Sequence, residues 1–207
     1  MNTLEVSSDI ALKRARLVSN IFHPWAILVP VIALAAYQTA NGSAEWVKWA
    51  LLALVPAIVF PPIYVKIRAI SRGGRTQKIS RSLVRNDPDQ LFIMTALFGV
   101  PSALILYYFD GPRSLLSIIL GVTAVMFVIS LVNLKYRASF HMSMVTSMLT
   151  ALWFLFGPIS LITFLVIPVL GVSRYQMGEH TPNQMVIGFL IGLVVSSTIF
   201  YGLGLGA

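Results

Sequence analysis

Runs of about twenty apolar residues recur along this 207-residue chain, separated by short basic connections. A helix needs about 20 such residues to cross about 30 Å of hydrocarbon, so these runs limit the fold more than any other feature. Seven segments read this way, at 24–41, 46–66, 90–109, 114–134, 140–156, 159–172 and 183–204. Gly157-Pro158 separates the fifth from the sixth. Both of those are short and read either as thin spans or as a tight hairpin. In lipid every backbone amide must be paired internally, which leaves helices or closed barrels. Stretches such as LLSIILGVTAVMFVISLV lack the period-2 alternation of a barrel strand. The expected fold is all-α: a polytopic transmembrane bundle of six to seven helices forming one domain over 23–207. Residues 1–22, with Ile10, Leu12, Leu17 and Ile21, read as an amphipathic or disordered lead-in rather than a cleaved leader.

Composition supports a lipid-facing surface. The chain is 57% hydrophobic and 11% charged, where an ordinary soluble domain carries about 25% charge. The absence of cysteine excludes a disulfide scaffold, a thiolate zinc site and a cysteine nucleophile. A net charge of +8 would suggest nucleic acid in a soluble protein. Here the positions of the charges argue for membrane orientation and an anionic substrate instead, and no nucleic-acid partner is expected.

Three polar clusters interrupt the apolar runs: residues 67–89, 135–141 (KYRASFH) and 173–182 (SRYQMGEHTP). Two apolar segments separate each from the next. An even number of crossings returns the chain to one side, so the clusters share a face with the N-terminus. Thirteen cations fall on that face: Lys13, Arg14, Arg16, Lys66, Arg68, Arg72, Arg75, Lys78, Arg81, Arg85, Lys135, Arg137 and Arg174. The other face holds Lys48 and Arg113. The positive-inside rule then puts the richer face in the cytoplasm.

Ionisable residues at a membrane boundary are costly unless used, which singles out His141 and His180 beside the short segments. Around them stand Lys78-x6-Arg85, with Arg81 between; Ser139-Phe140-His141; and Ser173-Arg174-x5-His180-x3-Gln184. The set resembles the type 2 phosphatidic acid phosphatase superfamily, whose motifs are K-x6-R-P, P-S-G-H and S-R-x5-H-x3-D. The likeness covers roughly 78–204, with the motifs in 78–184. Asn86 follows Arg85 where the family has Pro. The second motif keeps Ser139 and His141 without its Pro and Gly. Gln184 stands where the family has Asp.

The resemblance implies an integral membrane phosphatase acting on a lipid phosphate or diphosphate, of the phosphatidic acid or isoprenoid diphosphate type, without metal or other cofactor. It implies that His180 attacks phosphorus to form a phosphohistidine, and that His141 serves as general acid and then base. Gln184 would orient His180, as orienting carboxylates do elsewhere. Lys78, Arg81, Arg85, Ser139, Ser173 and Arg174 would hold phosphate, the arginines by a two-pronged fork.

Other readings attach to the same residues. Thr181-Pro182-Asn183-Gln184 is a capping box, with Thr181 as N-cap and Gln184 at N3. His23, before Pro24-Trp25, reads as an interfacial anchor, and Trp25, Trp46 and Trp49 fit an aromatic belt. The neutral Gln184 leaves open a non-catalytic protein of the same fold that binds or moves a lipid phosphate. A transferase of the Asp-rich kind is disfavoured, because Asp87 and Asp89 are the one close carboxylate pair in the sequence. Nothing in the sequence reads out an oligomeric state.

Overall fold

The computed structural model describes residues 3–40, 44–71 and 88–203. They form helices and short connections, with no strand among them. In chain order these are α1 (Thr3–Ile21), α2 (Pro24–Thr39), α3 (Glu45–Ser71), α4 (Pro88–Tyr108), α5 (Arg113–Asn133) and α6 (Phe140–Phe156). A 3-10 segment (Gly157–Leu165), α7 (Val166–Gln176) and α8 (Pro182–Gly202) follow. Four stretches among the described residues are long and apolar enough to cross a membrane, where the sequence suggested six to seven: Asp9–Thr39, Arg113–Asn133, Phe140–Gln176 and Pro182–Gly202. Thr95–Tyr108 within α4 is a shorter apolar helix.

The outside of the bundle is apolar. Val186, Leu190 and Val194 line an exposed stripe of α8, and Ile159, Ile162 and Leu165 are exposed on the 3-10 segment. Water penalises a continuous surface of this kind, and hydrocarbon does not. Several hydroxyls in the interior are satisfied by the carbonyl one turn back. Ser130 donates to Met126 O, Thr150 to Thr146 O and Thr123 to Ile119 O. Ser102 reaches across to Ala53 O at 3.0 Å and ties α4 to α3.

The chain turns back between α6 and α7. Gly157 has φ +67° and ψ −153°, a region open in practice to glycine, and a proline follows at the first turn of the 3-10 segment. α7 then packs on α6. Residues 140–176 are therefore a hairpin rather than one straight rod, and both of its ends lie at one end of the bundle.

α6 and α8 form the most extensive helix pair among the described residues. Two stripes at a four-residue spacing face each other: Ser139, Ser143 and Ser147 on α6, and Gly188, Gly192 and Ser196 on α8. A Cβ on Gly188 would lie 2.5 Å from Ser139 O, and one on Gly192 closer still to Ser143 O. Small residues thus let the backbones approach, which is how apolar helices associate when lipid is as apolar as leucine. One step further along, Ser196 donates to Ser147 Oγ at 2.6 Å in a fully buried contact.

α1 packs against α7, through small residues. Ala15 and Ser19, one turn apart, are buried, while Ile10, Leu17 and Ile21 remain exposed. Three of the large apolar residues that marked 1–22 as amphipathic, Ile10, Leu17 and Ile21, therefore face away from the bundle, and Leu12 is half-buried.

A methyl group at Gly192 should wedge α6 from α8. Gly192→Ala is expected to lower unfolding stability in detergent by about 1–3 kcal/mol, the usual cost of overpacking a tight interface. Unchanged stability in a denaturant titration would contradict the close approach.

Candidate functional site

Two helix N-termini meet at the end of the bundle where the hairpin begins and ends. α6 starts at Ser139, whose side chain accepts from Met142 N–H at 3.5 Å. α8 starts at Thr181 with the capping box read from the sequence: Thr181 Oγ1 accepts from Gln184 N–H at 3.4 Å, and Gln184 Oε1 accepts from Thr181 N–H at 3.1 Å. The two starts are joined directly, because Ser139 N–H donates to Gln184 O at 3.0 Å. His141, in the first turn of α6, and His180, just before the cap of α8, are thereby brought to one place.

Gln184 also determines the state of His180. A backbone N–H can only donate, so the Gln184 atom facing Thr181 N is its carbonyl oxygen. The same oxygen lies 3.3 Å from His180 Nδ1. That nitrogen must carry the hydrogen, and the lone pair of the neutral ring falls on Nε2. The capping and orienting roles, alternatives in the sequence, are filled by one atom.

Arg174 stands in the last turn of α7, where a cation complements the helix dipole. It is 5% exposed. A charge so buried needs partners, and it has them: Nη1 donates to Ser19 Oγ at 3.1 Å, and Nη2 pairs with the Glu179 carboxylate. The loop that places Glu179 is a Schellman turn. Gly178 has φ +65°, Gly178 N–H donates to Tyr175 O at 2.9 Å, and Glu179 N–H donates to Arg174 O at 3.2 Å. Glu179 thereby neutralises Arg174.

The charge of Arg174 reaches all three imidazoles of the chain, His23, His141 and His180. His180 lies in the connection between α7 and α8. Burial holds its pKa below the ordinary 6.5, Arg174 and Arg137 push the same way, and the Gln184 hydrogen bond and Glu179 oppose them. The ring is therefore kept neutral near physiological pH, with a lone pair on Nε2.

The expected site residues thus fall into three groups. His141, Arg174, His180 and Gln184 come together. Ser139 and Ser173 are close by but turned to structural tasks. Ser139 is fully buried as a cap, and the Ser173 hydroxyl donates to Ala15 O at 2.6 Å, holding α1 rather than facing a ligand. Lys78, Arg81 and Arg85 lie outside the described residues. The structure adds Ser19, Glu179, Arg137 and His23; Arg137 reads from the sequence as a topology charge and His23 as an interfacial anchor, and Ser19 and Glu179 carry no sequence signal of the site. Ser19 and Arg174 are 155 residues apart, with no local signal linking them. Among the described residues, no three histidine or carboxylate side chains are grouped as ligands for a metal ion. An apolar groove of about 640 Å³ between α4, α5 and α8, lined by Phe92, Val100, Phe127 and Ile199, includes none of the site residues.

These features define the class of molecule: an all-helical protein with helices long and apolar enough to cross a membrane, carrying a histidine–arginine cluster at one end of its bundle. No protein-family model, no curated protein and no solved structure matches the chain.

The depressed pKa of His180 has a definite sign. As pH falls through 6.5 the unfolded chain takes up a proton before the folded ring does, so acid destabilises the fold through this group, and the effect vanishes above 6.5. Gln184→Glu adds a negative charge beside Nδ1. It is expected to move the His180 titration upward, as read from its imidazole nitrogen signals. A titration that stays in place would mean that residue 184 does not contact the ring.

Proposed function

We propose that the chain is a multi-pass membrane phosphatase that releases phosphate from a lipid phosphate or diphosphate through a phosphohistidine on His180. The reading is carried by one observation: the hydrogen bond from His180 Nδ1 to Gln184, which leaves Nε2 of a neutral imidazole as a nucleophile beside His141 and Arg174. Further support comes from the converging N-termini of α6 and α8, whose partial positive charge favours an anion, and from the resemblance of the motifs.

In this mechanism the Nε2 lone pair attacks phosphorus while His141, which takes up a proton as the substrate anion binds, gives that hydrogen to the departing oxygen. The neutral His141 then takes a proton from water as that water attacks phosphorus. The P–N bond breaks, and His180 returns to its starting tautomer. Histidine suits both tasks because an imidazole nitrogen can act as a nucleophile or exchange a proton. Arg174 stabilises charge on the non-bridging oxygens. To do so it must exchange the Glu179 carboxylate for phosphate, so Glu179 competes with the substrate anion for Arg174. A lipid headgroup at the end of the bundle keeps its tail among the exposed apolar side chains. Six to seven crossings, with the site in the cytoplasm, follow from the apolar runs and the charge bias. Lys135→Cys, exposed in a chain without cysteine, tests the orientation. Labelling of intact cells by an impermeant thiol reagent would reverse it.

A non-catalytic lipid-phosphate binder or carrier is the second reading. It is favoured by Gln184, which accepts the Nδ1 hydrogen without the negative charge that would stabilise an imidazolium. Binding of phosphatidic acid or an isoprenoid diphosphate without release of phosphate would select it.

Purified protein should release phosphate from at least one member of a lipid-phosphate panel without added metal. His180→Ala should abolish release, and His141→Ala should lower kcat by about 10²–10⁴, the usual contribution of a general acid–base. Glu179→Gln, which weakens the competitor for Arg174, should lower KM. Full activity in His180→Ala would refute the nucleophile.

A further inference from the structure

The third histidine of the chain lies at the same site. His23 fills the break between α1 and α2, and its ring meets that of His141 edge to face, with centroids 5.2 Å apart and planes at 85°. Aromatic pairs favour this geometry and spacing. The His23 ring is itself held in place. It is the N-cap of α2: Nδ1 accepts from Trp25 N–H at 3.4 Å, and the carbonyl accepts from Ala26 and Ile27. Nδ1 is therefore the lone-pair nitrogen of the neutral ring and Nε2 carries the hydrogen, the opposite tautomer to His180. Ser, Thr, Asp and Asn are the ordinary choices for an N-cap. A histidine here gives up capping strength, and what it adds is a flat ring against His141.

We propose that His23 is a positioning residue for His141. Its ring, fixed by the first turn of α2, packs on the His141 imidazole, limits its rotation and keeps water from one side of it. The proposal rests on the reading of His141 as the general acid and base, and gives that group the rigid support that acid–base work requires. Two substitutions separate the functions of residue 23. His23→Asn keeps an N-cap acceptor and removes the ring. His23→Phe keeps a ring and removes the acceptor.

On a hydrolysed lipid phosphate, His23→Asn is expected to lower kcat roughly tenfold or more with little change in KM, as a misplaced catalytic group does. It should also shift the limb of the pH profile that belongs to His141. His23→Phe should retain most of kcat. Wild-type kcat in His23→Asn, or an equal loss in His23→Phe, would overturn the proposal. A second readout needs no turnover. In the wild-type protein in detergent, through-space magnetisation transfer between the His23 and His141 rings is expected. The imidazole nitrogen signals of His141, and not those of His180, should move in His23→Asn. Absence of the transfer, or unmoved His141 signals, would also overturn it. If wild type releases phosphate from no lipid, the phosphatase reading fails, and the ring signals alone decide the contact of His23 with His141.

Discussion

The approach of α6 to α8 through glycine is the constraint on which the site depends. Two carbonyls of α6, from Ser139 and Ser143, occupy the space where side chains of Gly188 and Gly192 would otherwise stand. Helices in an apolar medium gain nothing from hiding leucine, and so must gain from close backbone contact and the few hydrogen bonds available. The Ser147–Ser196 pair and the bond from Ser139 N–H to Gln184 O are of that kind. The second of these joins the cap that begins the helix of His141 to the residue that sets the tautomer of His180. A shift of one helix along the other would part the two histidines.

Charge is the second organising element. A guanidinium as buried as that of Arg174 is tolerated because Glu179 and Ser19 surround it. Each partner arrives by a different route. Glu179 is delivered by the left-handed Gly178 that ends α7, and Ser19 by a helix from the other end of the chain. The bond from Ser173 to Ala15 fastens that helix beside them. The N-terminal helix is thus part of the wall around the arginine, which explains why Ala15 and Ser19 are buried.

Much of the local structure was legible before any coordinates. The apolar runs read as helices, the capping box at Thr181 and Gln184 is present, and the glycine-proline break at 157–158 is where the hairpin turns. The meeting of the 135–141 and 173–182 clusters was also readable, since an even count of segments returns the chain to one end. The number of membrane-crossing helices was less so. Four described stretches meet the length and apolarity required, and two of them, Asp9–Thr39 and Phe140–Gln176, run across the breaks at His23 and Gly157 and join segments that the sequence reads separately.

The roles of individual polar side chains were the least legible. Ser173, expected to hold phosphate, instead holds α1, and Glu179 pairs with Arg174. His23 reads as an interfacial anchor and lies against His141. The sequence by itself determined helices, caps and turns, because these depend on partners within four or five residues. Only the tertiary structure decided which imidazole meets which and what neutralises the buried arginine. Those contacts follow from how closely distant helices pack, and that closeness is set by glycines and serines that carry no chemical signature of the site.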